Sequence, residues 1–365
     1  MALCRWREKR KAAFMWRSVL YLLAVAGAGL AAAAPAQQLY PPLDNPKLRF
    51  ENGGVATPSL PDLPGQASAW RIAQWAKAQG LNPQALRPDP SAPADPRLGH
   101  PILSVRTPDG ESALAIFQGQ YGYVYELKSR GGIRQPGGSS NLFLTASPLM
   151  QNATMNAETD YDVDEKIIQA QISYKTPQAK ARGDVLAHVF TGFTLSLHGA
   201  NGTPNYNVFL QIAQSASRKE QSGFFLCTFD PVHNNVVLGF GMTPGAGEVL
   251  PFQAAHGPLR HLHYVLNDYL CAMLAQTPHC QDGTGASRAM AFAPMARDLA
   301  NWRLGGIYIG LETHDRDMRP MAQDHAVQGH VAVSVQIANL HVTRYPGKLM
   351  HCPFPDRALG AEIKH

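Results

Sequence analysis

From about residue 102 to residue 346 the chain repeats one pattern: short runs in which apolar and polar side chains alternate, separated by Gly, Pro, Asn and Asp. In Val189–His198, Phe193, Leu195 and Leu197 alternate with Thr194, Ser196 and His198. In Tyr206–Ala213, Val208, Leu210 and Ile212 take one parity, and Asn207 and Gln211 the other. Side chains of an extended strand point to opposite faces in turn, so each run can bury one face only. Ala113–Phe117 and Tyr121–Leu127 read as a hairpin across Gln118-Gly119-Gln120, with Tyr121, Tyr123, Tyr125 and Leu127 on one face. Ile167–Tyr174, Ser222–Phe229, Val236–Phe240, Gly305–Thr313 and His330–Thr343 continue the series. In the last, Val331, Val333, Val335 and Ile337 share a parity that Leu340 and Val342 break, which predicts a bulge near Ala338-Asn339.

About nine such strands in one domain predict an all-β fold, a two-sheet antiparallel jelly-roll sandwich. One embedded helix is expected over Leu259–Leu274, where Leu259, Leu262, Leu266, Tyr269, Leu270 and Met273 recur at helical spacing. A short N-terminal helix is expected over residues 68–79, with Trp70, Ile72, Trp75 and Ala76 near one face and Gly80 ending it. The sandwich is assigned to residues 102–346. A Pro-rich arm is assigned to 37–101, its part from Pro83 to Pro101 irregular and pinned to a surface, and a tail to 347–365.

The first 36 residues have a different character. Arg5, Arg7, Lys9, Arg10, Lys11 and Arg17 precede an apolar run from Val19 to Ala34, and Ala34-Pro35-Ala36 offers a small-residue cleavage site before Gln37. That order is a secretory signal peptide, and the run is shorter than the roughly 20 residues a membrane-spanning helix needs. Periplasmic or secreted localisation follows, with no transmembrane segment after cleavage. The whole chain has 32 basic and 27 acidic residues. Removing the signal leaves 26 of each, so the basic balance belongs to the export segment and nucleic acid is a poor partner. Cys227, Cys271, Cys280 and Cys352 remain, an even number in an oxidising compartment. Three pairings are open, and short spacing favours Cys271–Cys280 with Cys227–Cys352.

The order of helix, Trp-led Gly-rich strand and closing strand resembles the concanavalin A-like lectin and glucanase superfamily. The residues that carry it are Leu259–Leu274, Asn301-Trp302-Arg303-Leu304-Gly305-Gly306-Ile307-Tyr308-Ile309-Gly310-Leu311-Glu312, and Val331–Ile337 with Ala338-Asn339-Leu340-His341-Val342. The resemblance covers about half of the chain after the signal and implies the sandwich fold, with lectins, glucanases and polysaccharide lyases among its members. In its laminarinase-like enzymes an E-x-D-x-x-E or E-x-D-x-E run carries the acids. Glu158 and Asp160 match its first two positions and Asp162 departs from the last.

From the residues themselves, Glu158, Asp160, Asp162 and Asp164 fall on one face if the run is a strand. They then offer a carboxylate pair for glycoside hydrolysis or, through Asp160, Asp162 and Asp164, a calcium site, the alternative being a solvated acidic turn. Tyr308, Gly310 and Glu312 share the outer face of their strand, where Glu312 could bind or protonate a sugar oxygen. Asn207 and Gln211 would add polar contacts. Tyr123, Tyr125 and Trp302 would add stacking surfaces, unless they fill the core. His261-Leu262-His263, read on a helix, does not converge on one metal. A second histidine group, His314, His325 and His330, lies around a loop. The expected function is an exported carbohydrate-binding or polysaccharide-processing protein that needs no cofactor beyond a possible calcium ion and, if catalytic, is a glycoside hydrolase or polysaccharide lyase. The alternative is a non-enzymatic envelope module whose partner is another protein.

Overall fold

The computed structural model describes residues 34–352 apart from 45–47, 53–54, 57–69, 76–78, 133–138, 175–176, 178–184, 200–203, 217–222, 231–233, 242–249, 252–257, 276–278, 283–286, 290–293 and 316–328. The basic and apolar start, the Asn201-Gly202 turn, His325 and the tail beyond Cys352 lie outside the described residues. The strands are β1 (Gln37–Gln38), β2 (Arg49–Asn52), β3 (Val55–Ala56), β4 (Trp70–Trp75), β5 (Leu103–Arg106), β6 (Ser112–Gly119), β7 (Gly122–Gly132), β8 (Ser139–Ala146), β9 (Ala157–Tyr174) and β10 (Val185–His198). They continue with β11 (Pro204–Ala216), β12 (Gly223–Asp230), β13 (Asn235–Gly241), β14 (Leu250–Pro251), β15 (Arg260–Val265), β16 (His279–Asp282), β17 (Ser287–Ala289), β18 (Trp302–Asp315) and β19 (Gly329–Leu349). Helix α1 spans Leu266–Ala275.

Two sheets result. The smaller runs β15-β9-β19-β7-β6-β5, with β1 beside the far end of β19. The larger runs β17-β16-β12-β13-β11-β10-β18-β8-β4-β2-β3, with β14 beside β11. Their facing sides interlock in one core: Leu127, Tyr161, Val163, Val333 and Ile337 from the smaller sheet meet Leu142, Val189, Phe193, Leu210, Ile309 and Leu311 from the larger. The expected two-sheet sandwich is thus present. Pairing is antiparallel through most of both sheets, but β2–β4, β11–β13, β11–β14 and β12–β16 are parallel. The bulge predicted in the last strand is there too. The register of β19 against β9 shifts between Ala338 and His341, and Asn339 takes φ 49°. The shift lets both parities of β19, Val331–Ile337 and Leu340–Val342, reach the core.

Three expectations are corrected. Residues 70–75 form strand β4 and not a helix: Trp70, Ile72 and Gln74 are buried on alternate positions, and β4 pairs with β8. The helical spacing of Trp70, Ile72 and Trp75 was fortuitous in so short a run, because the tertiary partner decides. The segment read as an arm therefore contributes β1–β4 to the sheets, whereas Pro83–Pro101 opens with a 3-10 turn at Pro83–Ala85, is otherwise irregular, and is tied by Arg87–Ser104 and by Gln336 bonding Asp95. The embedded helix begins only at Leu266, because Leu262 and Tyr264 face the core while His261 and His263 face out, the period of a strand. The disulfides are Cys227–Cys280 and Cys271–Cys352. Cys227 and Cys280 lie side by side on the neighbouring strands β12 and β16, whose register pairs Thr228 with Gln281. Cys280 is thereby carried away from Cys271 on the helix. Each bridge closes a loop worth about 4–5 kcal/mol in the chain-entropy model.

Two buried polar arrangements hold β9 in place. Asn267, fully buried at the start of α1, accepts from the Thr159 amide at 2.8 Å and donates to the carbonyls of Ala157 and Met155. Replacing it removes three hydrogen bonds to the backbone at a buried site, so Asn267→Ala is expected to cost about 3 kcal/mol, read as a lower urea midpoint. Glu165, also buried, accepts from Arg260 Nε at 3.1 Å. Burial raises its carboxyl above the usual range against the opposing pull of Arg260. A raised folded-state value means that the stability it contributes is full below the unfolded carboxyl value, about pH 4, and is lost as pH rises through the folded one. Denaturation across a pH series should show wild type losing stability over that window relative to Glu165→Gln. Parallel profiles would contradict the assignment.

Candidate functional site

On the outer face of the larger sheet the strand register lines side chains up in rows across the strands. One row reads Gln211 on β11, Gly192 on β10, Tyr308 on β18, Thr145 on β8 and Arg71 on β4. The next reads Phe190, Gly310 and Phe143. The third reads His188, Glu312 and Asn141. Directly opposed residues of an antiparallel pair bring their Cβ atoms to about 5 Å, so each row is a continuous line of contact.

The two glycines shape this surface. The Tyr308 ring lies across Gly192, and a Cβ on Gly192 would overlap it. At Gly310 (φ 156°) a Cβ would overlap the Leu142 carbonyl and press on Leu127 beneath. With no side chain at Gly310, Phe143 and Phe190 close over it, ring centroids 5.2 Å apart, and Tyr308 packs edge-on against them at 5.5 and 5.7 Å. Such tilted and edge contacts match the charge distribution of aromatic rings and fix the platform rigidly.

Around the platform runs a cleft of about 460 Å³, lined also by Arg71, Asn141, Thr145, Phe209, Gln211 and Glu312. The volume falls within the ordinary range of ligand sites. Its lining comes from strands β13 through β4, a width of about 24 Å at normal strand spacing. Tyr308 is hydrogen-bonded to the Gln211 side chain, and burial, together with the nearby Glu312 charge, pushes its phenol far up. The hydroxyl therefore stays protonated at any physiological pH. The cleft thus combines an apolar floor with a phenol, two amides, a carboxylate and a guanidinium at its edge. That composition suits a ligand with apolar faces and a hydrogen-bonding rim.

Glu312, Tyr308 and Gln211 are brought together here as the alternation implied. Asn207 shares their face but stands exposed beyond Phe209, where it bonds Asn235 at 3.2 Å. Tyr125 and Trp302 are corrected as ligand contacts: both are fully buried, the Trp302 indole donating to the Ala296 carbonyl at 2.7 Å. Tyr123 packs against the core between the sheets. The aromatic row on β7 therefore fills the sandwich, because its parity is that of Leu127. Phe143, Phe190 and Phe209 were not anticipated, although Asn141, Phe143 and Thr145 alternate with the buried Leu142 and Leu144 and that alternation is visible in the sequence.

The acidic run lies elsewhere. It forms the first half of β9, with Glu158, Asp160, Asp162 and Asp164 on the outer face of the smaller sheet. The two sheets and the whole core separate it from Glu312, so a catalytic pair joining Glu312 to Glu158 or Asp160 is excluded by placement. Asp160 is raised by burial and by its neighbours Glu158 and Asp162. Lys348 bonds Glu158 at 2.7 Å, His263 bonds Asp162 at 3.0 Å and Asn339 bonds Asp164 at 2.7 Å. The carboxylates of Asp160, Asp162 and Asp164 are thus spread along the strand, and among the described residues no group of three His, Cys, Asp or Glu side chains could hold a metal ion. The calcium expectation therefore finds no preformed cage of six to eight oxygens.

No family model and no curated protein matches this chain. Among solved structures it is similar to an endoglucanase from Rhodothermus marinus, with 9% identity over 66% of this chain and 91% of that one, TM-score 0.32. It is also similar to the family 11 xylanase from Neocallimastix patriciarum, with 6% identity over 66% and 95%, TM-score 0.30. A third is a metagenome-derived glycoside hydrolase family 12 endoglucanase, with 11% identity over 66% and 90%, TM-score 0.32. At these scores the likeness carries no argument about activity, and the sandwich stands on its own strand pairing.

The platform makes one prediction of its own. Gly192→Ala must push the Tyr308 ring off its strand and break the bond to Gln211, whereas Gly192→Ala combined with Tyr308→Ala relieves the overlap. The double variant should recover part of the stability lost by the single one, by about 1–2 kcal/mol in a double-mutant cycle.

Proposed function

We propose that this is an exported protein that holds a glycan in the cleft of its larger sheet. The observation that carries the reading is the aromatic floor of Tyr308, Phe143 and Phe190, bordered by Gln211, Asn141, Arg71 and Glu312 in one cleft. Sugar rings present apolar faces of C–H groups and an equatorial rim of hydroxyls. Tyr308 and Phe209, both half-buried, can meet those faces, and the amides and charged groups can meet the rim. The breadth of the cleft across the strands favours an oligosaccharide or polysaccharide over a single sugar. Export rests on the N-terminal basic and apolar segment and is supported by two disulfides. Strand pairing among the described residues begins at Gln37, directly after the expected cleavage site.

Binding comes before cleavage in this proposal. Glycoside hydrolysis by the usual two-acid routes requires a pair of carboxyl groups across the scissile bond, and Glu312 is the one carboxylate among the described lining residues. Beside it in register stand His188 and Asn141, so Glu312 is placed to accept hydrogen bonds from sugar hydroxyls at one end of the floor.

The test is retention of the purified chain from Gln37 onward on a panel of soluble and insoluble polysaccharides. One glycan should be retained selectively, and Tyr308→Ala and Gln211→Ala should each weaken it by about tenfold while the chain stays folded. Product analysis on the retained glycan, with Glu312→Gln beside wild type, then separates binding from cleavage. A folded chain that ignores the whole panel would rule the glycan reading out and direct attention to a protein partner.

A further inference from the structure

At the junction between the export segment and the fold, the expected cleavage site runs straight into a sheet. Ala34, Pro35 and Ala36 are exposed, and the first strand begins at the next residue. β1 pairs antiparallel with β19, Gln37 opposite Arg344 and Gln38 opposite Thr343. The ladder continues in the Leu39 amide, which donates to the Val342 carbonyl at 2.8 Å. Bonded pairs recur at every second residue of an antiparallel ladder, so Gln37 and Arg344 form the next one, with the Gln37 N–H directed at the Arg344 carbonyl. A chain cut before Gln37 therefore has its terminal nitrogen held in a sheet.

We infer that Gln37 is a modification site: freed by cleavage, it closes on itself to pyroglutamate. The inference rests on the export proposed above. The α-amino nitrogen attacks the side-chain carbonyl carbon Cδ. The N–Cδ bond forms, the Cδ–Nε2 bond breaks, and Nε2 leaves as ammonia with a proton from the amine. Nothing is oxidised or reduced, and no co-reactant is consumed. The surroundings of Gln37 favour the closed form in three ways. Among the described residues Gln37 Oε1 is buried without a hydrogen-bond partner, so no bond holds the side-chain amide open and its burial is uncompensated. Ring closure carries that oxygen toward the exposed position vacated by Ala36, where water can reach it. Charge acts in the same direction. An open terminus sets an α-ammonium across the ladder from the half-buried Arg344, whose side chain is held nearby by bonds to the Thr154 carbonyl and hydroxyl at 3.3 and 3.0 Å. The lactam is neutral and removes that like-charge pair. Strand geometry suits the product too. The five-membered ring holds its carbonyl carbon where an extended residue carries the preceding one, so the remaining N–H keeps its direction toward Arg344. The outcome is an uncharged strand end that stays paired with β19 and offers no amine to an aminopeptidase.

The experiment is intact-mass and N-terminal analysis of the chain exported by an expressing cell, beside the same chain released at Gln37 in vitro from a cleavable N-terminal fusion. Both should reach the mass of residues 37–365 less one ammonia, and stepwise N-terminal degradation should stall at the first cycle. Pyroglutamyl aminopeptidase should open the unfolded chain and leave the native one intact, because the lactam is seated against β19. Gln37→Ala, released in the same way, should lose no ammonia, keep a free amine and unfold at a lower urea midpoint than the cyclised chain. A released chain that keeps the mass of an open Gln37 and reads Gln-Gln-Leu-Tyr from its terminus would overturn the assignment. Removal of the lactam from the native chain would do the same. An exported chain that begins at another residue would overturn it through its premise, and cyclisation of the released chain tells that failure of the export reading apart from failure of the chemistry.

Discussion

The hydrogen bond between Tyr161 and Thr191 fixes both faces of this protein at once. Tyr161 belongs to the smaller sheet and Thr191 to the larger, their oxygens are 2.6 Å apart, and both side chains are fully buried. Tyr161 also stacks on Tyr264 at 4.5 Å and meets Phe193 edge-on at 5.8 Å. In strands the parity of one residue decides that of its neighbours. With Thr191 held inward, Phe190 and Gly192 must face out and form the cleft floor. With Tyr161 held inward, Asp160 and Asp162 must face out toward the histidines. A slip of one residue in either strand would erase a surface on the far side.

This coupling also explains which parts of the molecule were legible in the sequence. Alternation over Phe193–Leu197, Val208–Ile212 and Ile307–Thr313 is regular, so there the inward set, the outward set and the meeting of Glu312, Tyr308 and Gln211 could be read from the sequence. The parity break in β19 was equally plain, because a buried strand cannot change faces without an extra residue. Period fails where a run is short. Over six residues, Trp70–Trp75 satisfies a helix and a strand about equally well, and only pairing with β8 decides. Arg260–Val265 failed for a related reason: a true helix follows at Leu266, and its spacing was extended backward over the strand.

Pairings distant in sequence were the other blind spot. Nothing local indicates that β12 and β16 lie side by side, so proximity in sequence favoured the wrong cysteine partners. Whether an aromatic lines a cleft or a core is likewise a question of which face the sheet buries. Tyr125 and Tyr308 sit in similar alternating runs, and one ends in the sandwich while the other ends on its outer surface. His261 and His263 were placed on a helix; on a strand the same spacing puts them on one face, although among the described residues they form no metal-holding group.

Strand β19 is nearly the last segment of the chain and lies between β9 and β7 in the smaller sheet, with β1 along its far end. Until residues 329–349 have been synthesised, β9 and β7 present open edges to one another across a gap one strand wide. The smaller sheet therefore cannot close on the ribosome, and its formation waits on contacts between the two ends of the chain, which makes folding slow and late. Under the export proposed above this delay is useful, since the smaller sheet stays open until residues 329–349 are present. The Cys271–Cys352 bridge, reaching from the helix to the residues just past β19, then locks the final strand in after it has docked.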